Sequence, residues 1–155
     1  MAKGDIKWFS GALLAIGKKV HDLSADTFKL GLVTSTATPA IADADPRWAA
    51  GGSVNFATNQ VTPGGNYATG GPSLASVSWT SVSNVPTFRA TDLTINQHAS
   101  NPTNARWAII YNDTDASKRA LAFVDLGAAT DLTLGNFTID WQAGAGTDIL
   151  TLTQS

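Results

Sequence analysis

The chain has 155 residues, no Cys, a charged fraction of 14% and a net charge of −2. Its length suits one domain with its own core. The absence of Cys excludes disulfides, thiolate metal sites and cysteine nucleophiles, and two histidines, His21 and His98, cannot build a three-His zinc site. Ten Lys plus Arg against twelve acidic residues supply no basic stripe for nucleic-acid phosphates. No apolar run approaches the roughly 18 residues of a membrane span. The polar start, with Asp5 and Lys7, lacks a signal-peptide pattern. All the acidic residues are Asp, a residue of caps and turns rather than helix interiors, which disfavours a helix-rich fold.

Ile6, Phe9, Leu13, Ile16 and Val20 recur at helical spacing and predict an N-terminal amphipathic helix within residues 1–22. Gly11 and Gly17 weaken it, so it needs tertiary packing. Strand patterns then dominate. Phe28, Leu30 and Leu32 alternate with Thr27, Lys29 and Gly31, and Ala75, Val77 and Trp79 with Ser76, Ser78 and Thr80. Phe88, Ala90, Leu93 and Ile95 suggest a strand broken at Asp92. Trp107, Ile109 and Tyr111 alternate with apolar neighbours, which predicts a central strand buried on both faces. Asn112-Asp113-Thr114-Asp115-Ala116 reads as a hairpin turn into Leu121, Phe123 and Val124, ending at Gly127. Phe137, Ile139 and Trp141 form a further strand, and Gly144-Ala145-Gly146 turns into Ile149, Leu150 and Leu152. The expectation is a mainly β chain: one antiparallel β-sandwich domain over 1–155 with about seven strands, one helix and a long glycine-rich loop over 36–73.

Residues 48–88 carry no charge at all. Three Gly-Gly pairs fall here (Gly51-Gly52, Gly64-Gly65, Gly70-Gly71) at unequal spacing, so they mark no repeat of fixed period. Trp48 precedes the first pair, and Phe56 and Tyr67 sit between the pairs. Interface cores are poor in charge and rich in aromatics, so the segment is read as a contact surface. With Trp8 and Phe9 of the N-terminal segment, these three are the expected protein-contact residues. Replacing Trp48 or Tyr67 with Asp should then weaken assembly and spare the fold. The competing reading folds the loop over its own sheet.

Catalytic motifs fail one by one. Residues 65–71 have the glycine spacing of a phosphate loop without its Lys. Gly144-Ala145-Gly146 precedes a strand, not a helix, so it is no dinucleotide site. Ser53 and Ser73 lack the flanking glycines of a nucleophile elbow. His98 lies in a polar turn. Asp113 and Asp115 suit a turn, and Asp43 and Asp45 are loop residues without the bidentate Glu of a calcium loop. Asp125 and Asp140 read as outward-facing strand carboxylates. No enzymatic constellation, metal site or cofactor is expected.

The layout resembles a family of small structural proteins of tailed-bacteriophage virions. The resemblance is carried by Ile6-Lys7-Trp8-Phe9, the strand Asp26 to Ser35, Tyr67-Ala68-Thr69-Gly70-Gly71, Ala105 to Tyr111, Phe123 to Gly127, Phe137 to Trp141 and Ile149 to Leu152. It covers most of the chain, through strand patterns rather than a chemical signature. It implies a capsid decoration (cement) protein on the outer surface of the head, whose partners are the major capsid protein and further copies of itself, with a trimer suggested by the threefold positions of capsid lattices. The resemblance transfers no catalytic residues. A tail or tail-fibre component, with Trp48 and Tyr67 stacking on sugars, is the alternative.

Overall fold

A computed structural model describes residues 4–141 and 148–151. The chain is mainly β, with one helix and several antiparallel sheets. Its centre is a four-stranded antiparallel sheet in the order β1-β9-β8-β2, where β1 is Ile6–Trp8, β2 Phe28–Val33, β8 Ala105–Asn112 and β9 Ala120–Thr130. A three-stranded sheet has the order β11-β6-β5, with β5 Ser78–Val82, β6 Val85–Arg89 and β11 Asp148–Thr151. Two short pairs complete the set: β3 (Pro46–Arg47) with β4 (Val54–Asn55), which is parallel, and β7 (Leu93–Ile95) with β10 (Phe137–Ile139). The described strands thus divide among several sheets.

The central strand is where the alternation placed it. β8 lies between β2 and β9, and Ala108, Ile109, Ile110 and Tyr111 are all buried. Both faces of this sheet therefore need cover, and two different layers supply it. On one face Phe28 meets Phe88 of β6 edge-on at 5.3 Å, and Trp8 meets the same ring at 6.1 Å. The three-stranded sheet covers this side.

The part of the uncharged segment from Trp48 to Leu74 covers the other face. The Trp48 indole lies parallel to the Tyr111 ring at 5.0 Å, above Gly31. A Cβ at Gly31 would stand 2.2 Å from the indole edge, so only glycine leaves the slot open. Phe56, on a short 3-10 turn, stacks with Phe9 at 5.8 Å, and Phe9 in turn meets Phe123 of β9 at 5.0 Å. The Tyr67 hydroxyl accepts from the Leu32 amide at 2.7 Å, and burial pushes it up to about 12. The same segment closes the outer edge of β2: Val61 N–H donates to the Leu32 carbonyl, the Leu30 amide to Pro72, and the Leu74 amide to Phe28. Gly71, at φ +80°, permits the approach; a Cβ there would sit 1.9 Å from the Leu30 oxygen.

The N-terminal expectation needs correction. Residues 6–8 are not helical but form an edge strand, with Ile6 opposite Val124 and Trp8 opposite Ala122. The helix α1 spans only Ser10–Gly17. Pairing with a strand more than a hundred residues away is invisible to local periodicity. Gly17 and the left-handed Lys19 (φ 59°) accompany the early stop. Around Asp92 the chain does more than break: it leaves one sheet at Arg89 and joins another at Leu93. The Gly144–Gly146 turn and Leu152 lie outside the described residues.

Because Trp48 fills a slot that Gly31 leaves open, the two positions are energetically coupled. Trp48→Ala is expected to cost about 3–5 kcal/mol in urea unfolding. Gly31→Ala, which must displace the indole, should cost about 1–3 kcal/mol. The double variant should cost less than the sum, because removing the indole makes room for the new methyl.

Candidate contact surface

The five expected contact residues do not share a surface. Phe9, Trp48, Phe56 and Tyr67 are buried within the chain, and Trp8 is half-buried, its indole N–H donating to the Ile149 carbonyl at 3.4 Å. The contact that the charge-poor segment makes is with its own sheet. Replacing Trp48 or Tyr67 with Asp would bury a carboxylate and unfold this cover. The two aromatics expected to stack on sugars are likewise turned inward.

Exposed apolar surface lies elsewhere in the N-terminal region. Helix α1 buries its small residues, Ala12 and Ala15, and turns Leu13 and Leu14 outward, 45% and 59% exposed. The predicted stripe is rotated for a steric reason. Gly11 lies so close to the segment 41–45 that a Cβ would come within 2.1 Å of the Ala44 oxygen. Only small side chains fit that inner line, so the leucines take the outer one. Ile41, 50% exposed, lies beside the start of the helix, its carbonyl accepting from the Ser10 amide at 2.9 Å. The spacing of Gly11, Ala12 and Ala15 was the available sequence signal; ranking positions by hydrophobicity hides it.

A cleft of about 200 Å³ runs beside the helix, lined by Leu14 and Lys18 on one side and Asp45 and Arg119 on the other, with His21 at its end. Asp45 and Arg119 of this lining belong to a wider network of ion pairs. Arg47 Nε donates to both Asp45 oxygens at 3.0 and 3.1 Å, and Arg119 approaches Asp45 at 3.5 Å and Asp115 at 2.9 Å. Asp113 takes Lys118 at 2.7 Å and Lys29 at 3.1 Å. The Arg47 guanidinium beside Asp45 holds its carboxyl below the ordinary range, and Lys118 and Lys29 do the same for Asp113. Burial pushes Asp115 up, but hydrogen bonds from the Ser117 and Arg119 amides and the Arg119 charge outweigh it. These are turn and bracing carboxylates, as their positions suggested.

Asp125 corrects the sequence reading. It is buried, paired with Arg106, and held low by that guanidinium. His98 is an exposed loop residue whose Nδ1 accepts from the Ser100 amide at 3.0 Å. Among the described residues no group of three His, Cys, Asp or Glu is placed to hold a metal. No described helix is long and apolar enough to cross a membrane.

The bracing has a pH signature. A depressed carboxyl adds stability above its ordinary pKa and loses it as pH falls through the lowered value. Asp113→Asn should therefore cost about 1–2 kcal/mol at pH 7. Variant and wild type should converge as urea unfolding is repeated in steps below pH ~4. Neither a family model nor a curated protein nor a solved structure matches this chain.

Proposed function

We propose that the chain is a bacteriophage capsid decoration protein, which binds the outside of the assembled head and braces neighbouring major capsid subunits. The resemblance in strand order and motifs supplies the family. The observation that carries the contact is the outward apolar face of α1, where Leu13, Leu14 and Ile41 stand in solvent on a chain that otherwise buries its large apolar side chains, with Leu134 the other exposed one among the described residues. Single exposed apolar residues need no explanation, whereas a clustered group beside a cleft is the usual mark of a binding surface.

The two larger sheets, joined through Phe28, Phe88 and Trp8, act as the sandwich-like platform in this reading. The patch is small beside the roughly 1,200–2,000 Å² of a stable interface. Repetition over a shell, or association of copies before docking, multiplies a modest contact into firm attachment. The face of α1 replaces the buried aromatics as the place where the partner sits.

Leu13→Ser combined with Leu14→Ser should weaken binding to expanded empty heads by about tenfold or more, as measured by co-sedimentation. The unfolding free energy should change by only about 0.5 kcal/mol per site, since both side chains are largely exposed. Wild-type protein that fails to sediment with expanded heads, or that labels the tail tip in immunogold images, would overturn the proposal.

A further inference from the structure

His21 follows α1 by four residues and is only 4% exposed. Its partner, Asn112, is fully buried at the end of β8. The Asn112 side-chain oxygen accepts from two backbone amides, Thr114 at 2.9 Å and Asp115 at 3.0 Å. Both of those partners are donors, so the amide orientation is fixed. Its nitrogen then faces the other way and donates to Asp26 Oδ2 at 2.6 Å and to His21 Nδ1 at 3.1 Å. His21 Nδ1 must therefore present a lone pair. The ring is neutral, with its proton on Nε2, and Nε2 itself is buried with no hydrogen-bond partner among the described residues.

A proton added at Nδ1 would set N–H against N–H. Flipping the Asn112 amide offers no escape, because it would strand the Thr114 and Asp115 amides. The charged groups around the ring are Asp26 and Asp22 on the following turn, Asp115 and Arg119 on the β8–β9 connection, Lys18 and Lys19 after α1, and Asp45 across the cleft. Asp26 and Asp115 favour a charged ring, but their carboxylates are engaged by Asn112 and the Asp22 amide, and by Ser117 and Arg119. Burial outweighs both and holds the imidazole below its ordinary range.

We propose that neutral His21 is an acid-released latch, which pins the junction after α1 to the β8–β9 turn and lets that junction open when the ring is protonated. The junction is short. The Lys18 amide bonds the Leu14 carbonyl, Lys19 bonds Ile16, and Val20 bonds Ala15. Expelling the ring at residue 21 pulls on the Val20 bond and loosens the last turn of α1. Control of the Leu13–Leu14 face by this latch rests on the proposed function; the latch itself does not.

Amide hydrogen exchange on the isolated chain tests it without any capsid. In wild type, protection of the Lys19 and Val20 amides, corrected for intrinsic rates, should fall by about tenfold per pH unit below ~6.5, levelling at the lowered pKa of the ring. His21→Gln keeps an acceptor for Asn112 but cannot titrate, and its protection should stay flat over that range. The depressed carboxyls of Asp22, Asp45 and Asp115 act in a separate window, below about pH 4. Flat wild-type protection between pH 7 and 5, or an equal loss in His21→Gln, overturns the proposal. Should His21→Gln fail to fold, His98→Gln leaves His21 as the lone imidazole for ring-nitrogen NMR. At pH 7 the proton must then be on Nε2 alone; a proton on Nδ1 overturns the latch. Loss of head binding in the leucine variant with flat exchange in wild type would sink the latch and spare the function, and the reverse pattern would do the opposite.

Discussion

The stacking of Trp48 on Tyr111 across Gly31 is the contact on which the architecture depends. A central sheet apolar on both faces cannot stand with one face wet. The three-stranded sheet covers one side; among the described residues only the short β3–β4 pair lies with the segment that covers the other. This long uncharged segment is held down by an indole in a glycine slot, by Phe56 against Phe9, and by a tyrosine hydroxyl on the Leu32 amide. Charges are absent from residues 48–88 because much of this stretch lies against apolar surface, where an unpaired charge costs several kcal/mol.

That arrangement explains which parts of the fold were legible. The strands at Phe28, Trp107, Leu121 and Phe137 are written in local alternation, and the buried neighbours Ala108 and Ile110 mark the middle of a sheet. The charge deficit correctly marked a contact but did not say whose. Burial against the same chain and burial against a partner ask for the same residues, so composition does not separate them. The edge strand Ile6–Trp8 was illegible because its hydrogen bonds go to Ala122–Val124. Residues 6, 9, 13 and 16 fit a helix equally well until that pairing is known.

The contact surface was illegible for a related reason. Amphipathic reasoning sends leucine inward and alanine outward, and α1 does the reverse, because the Ala44 carbonyl lies against Gly11 and excludes large side chains from the inner face. The helix thus exchanges apolar burial for close backbone approach. Its leucines are left for solvent or a partner, and the segment after it is tied to β8 by the His21–Asn112 hydrogen bond. A hydrogen-bonded anchor responds to protonation in a way that a hydrophobic one does not.

The position of β1 also bears on how the chain emerges during synthesis. Every pairing in the central sheet requires residues from Ala105 onward, and β1 waits for Val124. Until that point the aromatic covering segment lacks its complete sheet, while the β3–β4 and β5–β6 pairs already have their partners at hand. The central sheet is therefore dominated by contacts distant in sequence, a regime that is slow to fold and prone to aggregation. A covering segment without a single charge has nothing of its own to oppose association while that sheet is incomplete.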